Sequence, residues 1–296
     1  PPDDDIEDIS GEPEDDGPDP DDVPEPDDQK ARHAVRLWKG EERRKRAHEK
    51  VLRRIVLESF GGEKERIATR LADVSSLQVA DFIIEQELEK SRPPLRKLLA
   101  GAYEEIGFEF GRELLGRAKA GGAILETKSP LDRFEFNIRK FADYVAAERS
   151  RQLSTTTKRR LLKRLRDATS EVGVDGHIVK TSFATVTRAA YNAWQDSRAK
   201  TVSRTDAHGF AEESKRRAVD ALQVPGIRKE WIKTQDDRVR DSHDAVGGTI
   251  IDQHEKFRVK SDNGVDLMDG PGDETASAAN KINCRCVLSF IMGDRT

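Results

Sequence analysis

Through the first part of the chain, apolar positions recur at three- and four-residue intervals, the period of an amphipathic helix. Between Gln29 and about Ser59, Val51, Leu52, Ile55 and Val56 form an apolar face, and Gly61-Gly62 is expected to end that helix. Leu77, Ala80, Ile84 and Leu88 predict a second helix over about 75–89. Pro93-Pro94 reads as the first turn of a third, reaching Lys119 before Gly121-Gly122. Ser129-Pro130-x-Asp132 is a start signal for a fourth, with Phe134, Ile138, Phe141 and Val145 as its stripe. A further helix is expected to open near Ser154, and a long one spans about Thr181 to Leu222, closed by Val224-Pro225-Gly226.

After Gly226 the pattern changes. Short β-prone runs, Glu230–Lys233, Thr249–Ile251, Phe257–Val259 and Cys286–Ile291, alternate with glycine, asparagine and aspartate. Gly247-Gly248 and Asn263-Gly264 are turn signals, the second a hairpin signal. No internal repeat is visible. The expected fold class is α+β: a mostly helical N-terminal part followed by a small antiparallel α+β module.

Charge refines the division. The total is −4, from 52 Lys+Arg against 56 Asp+Glu, but residues 1–28 hold 15 acids, no base and 7 of the 12 prolines. Such a segment has too little apolar surface to offset the entropy of ordering, so it reads as a disordered acidic leader. Residues 29–226 carry 41 bases against 28 acids, and 227–296 carry 11 against 13. The expected layout is therefore a leader over 1–28, a basic helical region over 29–179 and an α+β domain over 180–296. A missing initial Met suits a trimmed, processed or fused product. No apolar run approaches the length needed to span a bilayer. The only cysteines, Cys284 and Cys286, are one residue apart, where a disulfide would be strained, so a secreted disulfide scaffold is excluded and a reducing compartment expected.

Unusual residues gather near the C-terminus. Trp231-x-x-Thr234-x-Asp236-Asp237-Arg238-Val239-Arg240-Asp241-Ser242-His243 is followed by Gly247-Gly248, Phe257, Pro271-Gly272-Asp273 and Asn283-Cys284-Arg285-Cys286. This ordered series, with Arg204-Thr205-Asp206 upstream, resembles the phage Mu F-like head-morphogenesis family over about residues 180–291. The resemblance implies a minor component of a tailed-phage head, associated with the portal and often encoded beside or fused to it.

Many members of that family carry a further Cys pair and a His before the C-R-C, a set resembling a structural zinc site. Here Arg240 and His243 stand where the first pair would be, and no His lies just before Cys284. Arginine stays protonated and cannot ligate a metal. That leaves His243, Cys284 and Cys286, with His208 or His254 as distant supplements, against the four ligands a closed zinc site needs. The expectation is accordingly no cofactor. The cysteines should be buried and reduced on a final strand, Arg285 facing away from them, Arg240 paired with Asp237 or Asp206, and Trp231 in the core.

Two other classes compete with a structural, non-catalytic assembly protein. One is a phage-delivered enzyme, a nuclease or an ADP-ribosyltransferase-like effector, using either Cys284 or Cys286 with His243 and an Asp as nucleophile, base and orienter, or Arg204, His243 and Asp206 for NAD or phosphate chemistry. No nucleophile elbow or glycine-rich phosphate loop supports it. The other is a DNA-binding module, for which Arg43, Arg44, Lys45, Arg46, Lys158, Arg159, Arg160, Lys163 and Arg164 are the candidate phosphate contacts. Expected partners are the portal protein, other head or scaffold proteins and phage DNA, with no membrane. The expected place is the virion head near the portal, and the host cytoplasm during assembly.

Overall fold

The computed structural model describes residues 19–120, 129–170, 181–262 and 264–292. Most of the acidic leader, the stop at Gly121-Gly122 and Asn263 of the hairpin signal lie outside them. Four long helices come first: α1 (Gln29–Arg70), α2 (Leu77–Ala120), α3 (Ser129–Ser170) and α4 (Phe183–Leu222). The strands β1 (Arg228–Ile232), β2 (Ile250–Asp252), β3 (Phe257–Ser261), β4 (Gly264–Met268) and β5 (Val287–Ile291) come after them. Two short helices, α5 (Asp241–Val246) and α6 (Ala278–Lys281), lie among them. The fold is α+β. No helix of the described residues is long and apolar enough to cross a membrane.

Three expected helix boundaries are absent. α1 runs through Gly61-Gly62: each glycine costs roughly 1 kcal/mol in a helix. Burial of Phe60, Ile67 and Leu71 on either side outweighs that. α2 runs through Pro93-Pro94. The prolines cannot donate to the carbonyls of Glu89 and Lys90, but both residues are exposed, so solvent can serve them. α3 passes Ser154, whose hydroxyl donates to the Ser150 carbonyl at 3.0 Å instead of capping a new helix.

The chain divides into two compact units. One comprises residues 51–102 and 140–200. In it Phe60 meets Trp194 edge-on at 5.4 Å, and the Arg198 guanidinium lies over both rings. Arg198 donates to Thr157 Oγ1 at 2.6 Å and the Leu153 carbonyl at 2.9 Å. Burial, helped by nearby Arg160, brings its pKa down to about 9.

The other unit holds the described residues among 1–50, 103–139 and 201–296, hence every strand of the described residues. Here α2 and α3 touch through glycine: a Cβ at Gly107 would land on Ile138, and one at Gly111 on Phe134. β1 lies at the centre of an antiparallel sheet ordered β2-β1-β5, with Trp231 opposite Leu288 and Ile232 opposite Val287. β3 and β4 form a separate hairpin. Alternation along β1 gives each face a core. Trp231 packs with Phe257, Val259, Met268 and Leu288, while Ile232 packs with Val287, Val35, Trp38 and Val23. Val23 comes from the acidic leader, whose last part forms a 3-10 turn at Pro20–Asp22 and ion-pairs Asp21 with Arg43.

Candidate functional site

The β1–β5 register sets the segment after β1 beside the segment before β5. α5 then turns His243 inward at 1% exposure, against Cys284 and Cys286, each at 1%. His243 Nδ1 lies 3.4 Å from Cys286 Sγ and 3.6 Å from Cys284 Sγ, and Thr234 Oγ1 lies 3.6 Å from Cys286 Sγ. Burial raises both thiols, but the hydrogen bonds converging on Cys286 from Cys284, His243 and Thr234 hold it well below the ordinary thiol range. Cys284, buried and donating to Cys286, is pushed well above it. The final strand begins at Val287, so both cysteines precede it. Trp231 is fully buried and meets His243 edge-on at 5.3 Å.

The ion pair expected at Arg240 is elsewhere. Arg285 pairs with Asp236, with contacts of 2.8 and 3.0 Å, and Asp236 Oδ1 also accepts the Arg238 amide at 3.1 Å. Arg240 donates to the Ile282 carbonyl, while Asp237 and Arg238 are exposed. Asp206 accepts the Tyr103 hydroxyl at 2.6 Å, and Arg204 lies 3.6 Å from Glu49. Asp236 is the carboxylate that matters because the turn directs it inward and its neighbour outward.

Sequence reasoning missed a second buried cluster. Lys45 from α1 lies between Glu212 and Glu41, and Lys215 from α4 reaches Glu41 at 2.7 Å and Glu212 at 2.8 Å. All four side chains are at most 5% exposed. The cluster closes one edge of the sheet: Glu212 Oε2 accepts the Leu288 amide at 2.8 Å, and Lys215 donates to the Leu288 carbonyl at 2.8 Å. Burial opposes ionisation of Glu212, yet the two lysines keep its carboxyl below the ordinary range. His208 Nδ1 lies 3.3 Å from Lys45 Nζ. Burial and the two lysines hold His208 neutral far below its usual pKa, so Nδ1 accepts. Gly272, at φ +72°, packs on His208, where a Cβ would approach its ring to 2.7 Å. The only trace in the sequence is polar His208, Glu212 and Lys215 on an α4 face otherwise made of Ala207, Ala211 and Ala218.

Lys45 is therefore interior rather than a phosphate contact. Arg43 pairs with Asp21, Arg44 with Glu113, Arg46 with Glu42, and Lys158 with Asp81 and Glu85. Arg159, Lys163 and Arg164 are exposed, and Arg160 is half-buried.

His243, Cys284 and Cys286 have donor atoms within 4.8 Å of one another. Among the described residues no fourth His, Cys, Asp or Glu joins them, so the set falls one short of a closed zinc site. His208 and His254 do not supplement it. The expected outcome is that a strong chelator leaves the thermal midpoint of the full chain unchanged. Stoichiometric zinc whose removal unfolds the protein would overturn this.

The fold and the two inward-facing polar clusters define an α+β protein that spends its most distinctive residues on holding its own C-terminal module together. The family described as Phage Mu protein F like protein matches residues 138–289, and the chain belongs to it. The match begins well before residue 180, so the family's domain takes in much of α3. No curated protein and no solved structure matches the chain.

Proposed function

We propose that this protein is a structural, non-catalytic minor head protein of a tailed phage that docks on the portal and assists head assembly, DNA packaging or ejection. The family match over residues 138–289 carries the reading. The geometry supports it. The residues an enzyme would need as nucleophile and base, Cys284, Cys286 and His243, are enclosed, whereas a general base must reach the proton it abstracts. The protein then belongs in the virion head near the portal, and in the host cytoplasm while heads are built. Phage DNA is a further partner, met at the exposed Arg159, Lys163 and Arg164.

Co-expression of the full chain with the portal protein of the same phage tests this. The chain should sediment with assembled portal rings and remain with them through purification. Separate migration at every step would overturn portal docking. A turnover that His243→Ala abolishes without moving the thermal midpoint would replace the assembly reading with the enzyme one.

A further inference from the structure

Arg32, Arg36, Lys39 and Arg43 stand at i, i+4, i+7 and i+11 of α1, which sets them in one row along one face of the helix. At about 1.5 Å per residue the row is roughly 16 Å long. Every member meets the described end of the leader. Arg36 holds Glu25 through contacts of 2.9 and 3.1 Å, and Arg43 pairs with Asp21. Arg32 donates to the Pro26 carbonyl at 2.7 Å, and Lys39 to the Asp21 carbonyl at 3.4 Å. Among the described residues no carboxylate outside the leader pairs with any of the four. Arg44 and Lys45, next along the helix, pair with Glu113 and with Glu41 and Glu212 instead. The row is therefore an anion site whose ligand the chain itself supplies.

We propose that this row binds the phosphodiester backbone of DNA and is held closed by the leader, whose Asp21 and Glu25 carboxylates stand where phosphates would. It rests on the reading that phage DNA is a partner, and adds to that reading a second contact and its control. The make-up of the row selects phosphate over an acidic protein. A protein interface has an apolar centre poor in charge, yet none of the large apolar side chains exposed on the described residues lies on α1. Successive phosphates of one strand advance about 3.4 Å along a duplex, so the row spans roughly five of them. The closure is also built to open. The side chains of Asp21, Glu25, Arg36 and Arg43 are 44–65% exposed, so water and salt compete with both pairs. What fixes the leader is Val23, buried against Val35, Trp38, Ile232 and Val287. Val23 can stay seated while the carboxylates on either side swing off the arginines. Tethered in this way, they remain at high local concentration and close the row again once DNA leaves. A lone phosphate loses to such a tethered rival, whereas a polyanion offers several phosphates at once.

Fluorescence anisotropy of a short labelled duplex, titrated with the full chain at about 0.15 M salt, tests this. Asp21→Asn with Glu25→Gln should bind the duplex about tenfold tighter than the unaltered chain. Asp22→Asn with Asp27→Asn changes the net charge equally, at exposed leader acids that hold none of the four cations, and should gain less than about threefold. Adding Arg36→Gln and Arg43→Gln to the first variant should abolish its gain. Equal gains from the two charge-matched variants overturn the proposal, as does a gain that survives loss of both arginines. Unchanged DNA affinity with tighter retention on portal rings would give the row to an acidic protein, and overturns it as well. Failure of the DNA reading itself looks different, since then no variant binds the duplex at all. If only the closure is wrong, the unaltered chain binds, weakens on Arg159→Gln, Lys163→Gln and Arg164→Gln, and ignores the leader substitutions.

Discussion

Glu212→Ala is expected to destabilise the full chain by about 3–5 kcal/mol in urea unfolding, because it strands two buried lysines. The cluster holds two ammonium groups, Lys45 and Lys215, and two carboxylates, Glu41 and Glu212, so its charges balance only as a set. Glu212→Gln keeps an acceptor for the Leu288 amide and should cost less, though it still leaves one positive charge uncompensated. Lys45→Met combined with Glu212→Gln restores the balance. That double variant should be more stable than the two single losses added together. Strict additivity would show that the four groups do not act as one network.

The same cluster sets a pH profile. Glu212 has a folded pKa below its ordinary value, so its contribution is present above the ordinary carboxylate range and is lost as pH falls through the folded value. His208 stays neutral in the fold. Below about 6.5 the unfolded chain binds a proton that the folded chain refuses, and stability declines from there downward. Lys45, raised above its ordinary value, contributes below the ordinary lysine range and loses its contribution as pH rises through the folded value. This cluster's share of the stability should therefore be level between about pH 7 and pH 10 and fall on both sides in urea unfolding at a series of pH values.

Asp236→Ala should cost about 3–5 kcal/mol, because the Arg285 side chain, 10% exposed, then keeps its charge without a counterion. Asp237→Ala, one residue away and exposed, should stay within about 0.5 kcal/mol. Equal effects at the two positions would mean that the pairing with Arg285 contributes nothing, and that the aspartates act only through the turn they share.

Those neighbouring aspartates show where the sequence stops being readable. The motif from Trp231 to His243 and the N-C-R-C segment marked the right part of the chain. Choosing the inward carboxylate, however, needs the backbone angles of the turn between them. Helical periodicity located α4 to within a residue or two, since nothing inside it imitates a boundary. At Gly61-Gly62, Pro93-Pro94 and Ser154 local preference pointed to ends that burial and solvent access overrode. Lys45 and Glu212 are 167 positions apart, and a buried lysine carries the same letter as a solvated one. Within the basic run at Arg43–Arg46, Lys45 misled for that reason. The run's partners, Asp21, Glu113, Glu42 and Glu212, are mostly distant in sequence.

Cys284 and Cys286 are the chain's only thiols, and both are sealed inside one module. A water-soluble alkylating reagent can reach them only when that module opens. With reagent in excess, the labelling rate becomes a clock for opening of the C-terminal module alone, read without any engineered probe. The clock can be run on free protein and on protein assembled into heads, and the ratio of the two rates measures how firmly assembly holds the module shut.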